Sequence, residues 1–154
     1  MNYYDSISKG YDELYGSEQL EKFEEIRKEI QGRVLDVGCG TGLITKLIPN
    51  SVGLDSSSGM LSKFEGIKVL ADAQKLPFKN KSFDTVISLT VLQDLKNPLK
   101  ALNEMIRVGK KVVFSIQKRN WSKERIEKLI DNSKIEGKLW AGKKDWFFSG
   151  YPKA

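Results

Sequence analysis

The sequence predicts an α/β fold: three layers around a mostly parallel seven-stranded sheet with an antiparallel C-terminal strand. Two observations carry this. From Arg33 to Ile130, short apolar runs alternate with stretches of helical periodicity, a pattern that requires parallel strands joined by crossover helices. The tail breaks the pattern. Its last two strand-like runs are separated only by Ala141–Asp145, and so short a connection joins antiparallel neighbours.

Taken in order, residues 17–31 read as an amphipathic helix, with Leu20, Phe23, Ile26 and Ile30 at helical spacing, Ser17 as a cap and Gly32 as a stop. Arg33–Val37 is the first strand, followed by a helix over Thr41–Ile48 that Pro49-Asn50 ends. Ser51–Leu54, Ile67–Leu70, Phe83–Leu89 and Lys111–Ile116 are the next strands. Between them lie helices over Ser57–Phe64 and Asn97–Ile106, the latter with Pro98 in its first turn. Ser122–Ile130 is the last helix, with Ile126, Leu129 and Ile130 on one face; strands Lys134–Trp140 and Trp146–Tyr151 close the chain. No repeat or linker is visible, so residues 1–154 are expected to form one domain, with 1–31 as an N-terminal helical cover and 32–154 as the core.

Composition narrows the chemistry. The chain has no histidine and one cysteine, Cys39. That removes the commonest general base and every histidine-dependent triad, and leaves no zinc ligand set or internal disulfide. No metal is expected. No apolar run reaches the ~18 residues that cross a bilayer, and the start Met1-Asn2-Tyr3-Tyr4-Asp5 lacks a secretory pattern, so a cytoplasmic protein without a membrane partner is expected. Net charge is +6, and Lys/Arg residues are concentrated in the last third, from Lys110 to Lys153. This suits a nucleic-acid partner or, equally, a Lys/Glu-rich solvated surface.

The run Val34-Leu35-Asp36-Val37-Gly38-Cys39-Gly40-Thr41-Gly42 stands at a strand-to-helix turn. Glycines there allow close approach of a ligand, and the following helix start offers free N–H groups. The dinucleotide spacing is G-x-G-x-x-G; here the third glycine comes one position early, with Leu43 in its place. Asp36, two residues before the first glycine, repels a pyrophosphate and suits an ammonium group. The pattern Asp-x-Gly-x-Gly-x-Gly resembles the cofactor motif of the class I, Rossmann-like S-adenosylmethionine (SAM) dependent methyltransferases, in particular small members of the type-11, UbiE-like group. Other segments extend the resemblance: Gly53-Leu54-Asp55-Ser56, Ser58-Gly59-Met60-Leu61, Leu70-Ala71-Asp72-Ala73-Gln74-Lys75-Leu76-Pro77-Phe78, Ser82-Phe83-Asp84-Thr85-Val86, and Tyr4-Asp5 with Tyr11-Asp12.

The resemblance implies a SAM site formed by Tyr4, Tyr11, Asp36, Gly38, Cys39, Gly40, Gly42, Asp55, Ser56, Met60, Asp72, Ala73 and Leu89. By that match Asp55 takes the ribose hydroxyls, Asp72 the adenine amino group with Ala73 beside the ring, Met60 lies against the adenine, and Leu89 lies by the sulfonium. Plainer roles stay open: Asp36 bracing the glycine turn, Asp55 as a helix cap in competition with Ser56 or Ser57, Asp72 as a turn residue, and Tyr4 and Tyr11 as packing. The implied reaction is in-line methyl transfer, leaving S-adenosylhomocysteine and needing chiefly alignment. Thr90, Gln93 and Asp94 follow the fourth strand and are the candidate acceptor contacts, Asp94 also as a general base. An Asn-Pro-Pro-Tyr-like motif is missing there, which disfavours amide and exocyclic amine acceptors. The cofactor turn holds the one cysteine, which disfavours carbon-5 pyrimidine chemistry. No insertion is long enough for a substrate lid. That and the basic last third point to RNA or a translation-related protein as acceptor, with a helper subunit. A quinone or other metabolite, or a non-catalytic SAM-binding subunit, are the alternatives. Trp121 beside Lys118 and Arg119 would either stack on a base or pack on the sheet.

Overall fold

The computed structural model describes residues 16–154. Residues 16–26 are helical (α1) and run into a 3-10 turn at Arg27–Glu29. The strands are β1 (Val34–Val37), β2 (Ser51–Asp55), β3 (Lys68–Leu70), β4 (Thr85–Leu89), β5 (Val112–Gln117), β6 (Ile135–Ala141) and β7 (Asp145–Pro152). The further helices are α2 (Ser58–Leu61), α3 (Pro98–Val108) and α4 (Lys123–Asn132). One seven-stranded sheet runs in the order β3-β2-β1-β4-β5-β7-β6. Pairing is parallel from β3 to β5, and β7 is antiparallel to both β5 and β6. The expected mixed sheet is therefore present. The order reverses direction between β1 and β4, and the crevice outside the carboxyl ends of such a pair is where open α/β sheets bind ligands.

Side-chain alternation splits the sheet into two cores, which makes the fold three-layered. Leu35, Val86, Val112, Phe114 and Phe148 face α3 and α4, joined by Leu102, Met105 and Ile126. Val34, Ile87, Val113 and Phe147 face the other way, against Phe23 and Ile26 of α1 and Ile44 and Ile48 of the β1–β2 connection. Strands buried on both faces read as continuous apolar runs, which is why they were legible. No helix among the described residues is long and apolar enough to cross a membrane.

Two expectations are corrected. The segment Thr41–Ile48 is not an α-helix: it is a chain of turns ending in a 3-10 turn at Thr45–Leu47. Gly40 (φ +57°), just before the predicted start, and Gly42 (φ +83°), inside the predicted first turn, hold the left-handed conformation, which interrupts the α ladder. Second, the predicted face of α1 is buried at Phe23 and Ile26 but not at Leu20, so the helix is turned part-way from the expected orientation. Leu20 is 49% exposed, and the buried face carries Gln19 and Lys22 beside Phe23 and Ile26. Of the two roles left open for Trp121, the fold takes packing: the ring is buried in the core under the Arg125 guanidinium, 3.8 Å from its ring centre.

Candidate active site

β1 ends in Asp36-Val37 and the chain turns at once. Gly38 N–H and Cys39 N–H both donate to the Leu54 carbonyl (2.7 and 3.0 Å), which ties the glycine turn to the end of β2. Gly38 has φ +79°, and a β-carbon there would overlap Val91, in the segment after β4. Gly40 N–H donates to Asp55 Oδ2 (2.9 Å), and Ser57 N–H donates to Asp55 Oδ1 (2.9 Å). Asp55 thus locks two loops together. A carboxylate has roughly four lone-pair sites, so both oxygens retain capacity for hydroxyl donors. Ser57, not Asp55, caps α2, accepting from Met60 N–H at 3.2 Å.

Asp36 is the electrostatic centre. It is buried, and Thr45 Oγ1 donates to its Oδ2 at 2.8 Å. Burial pushes its carboxyl up to about 7; the Thr45 bond opposes this and the nearby Asp55 charge adds to it. A small cleft beside Asp36 is bounded by Gln19, Gly38, Cys39 and Leu89. Gln19 Oε1 is buried there with no hydrogen-bond partner among the described residues. An acceptor so placed awaits a donor, because leaving it unpaired is costly. The Cys39 thiol is pushed up to about 12, first by burial and then by Asp36 and Asp55, so it stays protonated and inert.

A second cavity, about 170 Å3, continues the crevice outward and brings together Gly38, Asp55, Ser56, Asp72, Ala73 and Thr90. Asp94 lines it as well. Asp72 accepts from Gln74 N–H at 2.8 Å through one oxygen. Its loop is fastened to α3. Arg107 donates to the carbonyls of Leu76 and Phe78 (2.9 and 2.8 Å) and pairs with Glu104 at 2.7 Å, while Glu104 accepts from Leu76 N–H at 3.0 Å. Among the residues predicted from sequence, Gly42 packs on the Phe64 ring and Met60 lies near Gly40, so neither borders this cavity. Gln93 is engaged elsewhere: its Oε1 accepts from Gln117 N–H (2.8 Å) and its Nε2 donates to Gln117 Oε1 (3.0 Å). Thr90 adopts φ +58°, with its N–H donating to the Ser115 carbonyl at 3.0 Å. Tyr4 and Tyr11 lie outside the described residues. Among those residues, no group of three or more His, Cys, Asp or Glu side chains is placed to hold a metal ion.

Three carboxylates, Asp36, Asp55 and Asp72, thus stand around a glycine turn at the sheet's switch point. A model of the methyltransferase domain matches residues 35–114. The chain is a class I SAM-dependent methyltransferase of the UbiE-like group. It is 37% identical to an uncharacterized protein of Methanocaldococcus jannaschii, over 88% of this chain and 67% of that one. A Staphylococcus aureus demethylmenaquinone methyltransferase is 33% identical, over 70% of this chain and 54% of that one. Among solved structures, a chain of the complex between the Haloferax volcanii Trm112 methyltransferase activator and its methyltransferase superposes with TM-score 0.83 at 13% identity, covering 100% of this chain and 99% of that one. The methyltransferase's cofactor is SAM, and the buried Asp36, the Gln19 Oε1 without a partner among the described residues and the close-packed glycine turn fit the α-ammonium of its amino-acid end.

Gln19 is the site residue that sequence reasoning missed. The signal was present: Gln19, Lys22, Phe23 and Ile26 share the i, i+3, i+4, i+7 spacing of one helix face. Two of the four are polar, and that hid the face.

Proposed function

We propose that this methyltransferase acts on a small-molecule acceptor that docks beneath α1, beside the carboxyl ends of β4 and β5. The carrying observation is a cavity of about 350 Å3 between α1, Gln117 at the end of β5, and Asp145 and Phe147 of β7. That volume suits a small ligand, since such pockets run from about 300 Å3. The Gln117–Gln93 bridge sets the cavity next to the segment after β4, whose Thr90, Val91 and Asp94 line the cofactor crevice. The related demethylmenaquinone methyltransferase supports a small-molecule class.

SAM supplies an electrophilic methyl group on a sulfonium. The chain's own part is binding and alignment. Asp36 and Gln19 receive the α-ammonium, Asp55 the ribose hydroxyls, and Asp72 with Ala73 the adenine. Leu89 and Thr90, at the end of β4, border the space where donor and acceptor meet. The Glu104–Arg107 pair fixes the adenine loop, and the Gln93–Gln117 bridge holds the ends of β4 and β5 at a constant spacing.

A second reading, an RNA or translation-related protein acceptor with a helper subunit, draws on the exposed Lys118, Arg119 and Lys123 after β5 and on the Haloferax activator complex. The fold weakens its charge argument. Lys110, Lys111, Lys134 and Lys153 sit at the opposite, amino-terminal edge of β5, and Lys111 and Lys138 are spent on Glu29. Radiolabelled methyl transfer from SAM into metabolite, lipid, RNA and protein fractions of a cell extract separates the readings. Label in the small-molecule or lipid fraction is expected. Label confined to RNA or protein sinks the first reading in favour of the second, and no label anywhere favours a SAM-binding subunit without turnover.

A further inference from the structure

The cavity beneath α1 has a charge unlike the rest of the molecule. The protein carries a net +6, yet carboxylates outnumber ammonium groups five to three among the residues lining this space. Glu18, Glu21 and Glu25 share one face of α1, at i, i+3 and i+7. Glu18 is held by Lys144 Nζ at 3.1 Å, and Glu25 accepts from Trp140 Nε1 at 3.2 Å.

Asp145, the first residue of β7, is different. Its side chain is 2% exposed, with Lys22 Nζ at 3.4 Å from Oδ2. Its other oxygen, Oδ1, is buried without a hydrogen-bond partner among the described residues. Burial pushes this carboxyl upward, and the neighbouring Lys22 offsets only part of the effect. Asp145 is already placed by its register opposite Gln117 and by Gly142 N–H, which donates to its carbonyl at 2.8 Å. A buried carboxylate oxygen without a donor is unfavourable, and it is retained where a ligand supplies the donor. Phe147 lines the same cavity as its apolar wall, its ring stacked on Trp140 with ring centres 5.7 Å apart.

We infer that this cavity recognises an alkylammonium group, so that the acceptor carries an amine on a short hydrocarbon stem; the inference rests on the acceptor reading above. The ammonium donates to Asp145 Oδ1 and to the exposed Glu21, while the stem lies on Phe147. Lys22 and the ligand then flank the Asp145 carboxylate, one on each oxygen. A neutral hydroxyl of the same size brings no charge to a buried carboxylate, and an anion meets like charge. Charge-assisted bonds of this kind are roughly twice as strong as neutral ones, which sets the sense of the selectivity.

The test is an NMR titration of the 15N-labelled protein, saturated with S-adenosylhomocysteine, using butylammonium, butanol and butyrate. Butylammonium is expected to shift the amides of residues 18–25, 117 and 143–147, and to bind about tenfold or more tighter than butanol, as one charged hydrogen bond implies. Asp145→Asn is expected to abolish that preference, and Glu21→Gln, at an exposed site that tolerates change, to reduce it; neither should alter S-adenosylhomocysteine affinity. Equal binding of butanol and butylammonium, shifts elsewhere in the protein, or full selectivity retained in Glu21→Gln and in any folded Asp145→Asn overturns the inference. Failure of the folded protein to bind S-adenosylhomocysteine removes the underlying acceptor reading as well. Binding of S-adenosylhomocysteine without ammonium preference removes this inference alone.

Discussion

Cofactor affinity should depend on pH through Asp36. The carboxyl stands at about 7 because burial outweighs the 2.8 Å bond from Thr45. An α-ammonium binds the ionised form, so below that value Asp36 must lose a proton for binding to occur. By linkage, apparent affinity falls about tenfold for each pH unit below ~7 and levels off above it. At pH 5 the dissociation constant should be roughly a hundredfold weaker than at pH 7.5. The free protein shows the opposite trend. Its folded value lies above the unfolded value of 3.8, so stability from this group is full below pH ~4, declines as pH rises to ~7, and is flat beyond. That decline is about 4 kcal/mol at most, taken as three pKa units at ~1.4 kcal/mol each. Calorimetry of S-adenosylhomocysteine binding, in two buffers of different ionisation enthalpy, measures both the affinity and the released proton. About one proton is expected at pH 6, vanishing above pH ~8. Asp36→Asn should bind weakly with no pH dependence, while the unliganded variant is the more stable protein at pH 8. Affinity that is level from pH 5.5 to 7.5, with no buffer dependence at pH 6, would refute the reasoning.

Four further perturbations follow from the geometry. Gly42→Ala puts a β-carbon into the Phe64 ring at φ +83°; a loss of roughly 2–5 kcal/mol is expected in denaturant melts, and a loss below ~0.5 would mean the turn relaxes freely. Thr90→Asn relieves a β-branched residue at φ +58° and should stabilise the fold by about 1 kcal/mol while lowering turnover; a more active variant would contradict its place beside the reacting groups. Arg107→Ala removes bonds to Leu76, Phe78 and Glu104 and should cost about 2–4 kcal/mol, with faster amide exchange at Leu76 and weaker cofactor binding; Arg107→Lys should rescue little, since one ammonium cannot span the planar set of contacts. Gln19→Leu exchanges an unpartnered buried acceptor for apolar surface, so melting should rise by about 1 kcal/mol or more even as S-adenosylhomocysteine binds less tightly; unchanged affinity would reduce Gln19 to packing.

The centre of the sheet was legible because β1, β4 and β5 are buried on both faces and therefore read as unbroken apolar runs, such as Val112-Val113-Phe114 and Val86-Ile87. The terminal hairpin was legible from the short connection at Ala141–Asp145. Asp36, Asp55 and Asp72 were legible because strand ends and glycines punctuate the chain, and the fold gathers all three along one crevice. Two kinds of feature escaped. Local geometry after Gly38 is governed by successive left-handed glycines, at Gly40 and Gly42, and helical periodicity in Thr41–Ile48 said nothing of them. Contacts distant in sequence escaped as well: Gln93 with Gln117, Lys22 with Asp145, and Gln19 with the space beside Asp36. Such pairs exist only once the chain has folded.

These omissions share a cause in α1. A helix whose sole task is to cover the sheet would bury Leu20 and expose Gln19 and Lys22, and the apolar spacing predicts that rotation. The fold turns it part-way from that orientation. It leaves Leu20 49% exposed and buries Gln19 to 7% and Lys22 to 8%, an arrangement that sacrifices hydrophobic contact and desolvates two polar groups. Each then meets a buried carboxylate region: Gln19 at the cleft of Asp36, and Lys22 at Asp145. The two acceptor atoms left without partners among the described residues, Gln19 Oε1 of this helix and Asp145 Oδ1 of β7, border it on either side, one at the cleft beside Asp36 and one at the cavity beneath α1. A departure from apolar patterning is destabilising in the free protein, and donors on a bound ligand would offset it. The first helix is therefore where apolar periodicity misjudged which side chains the fold buries.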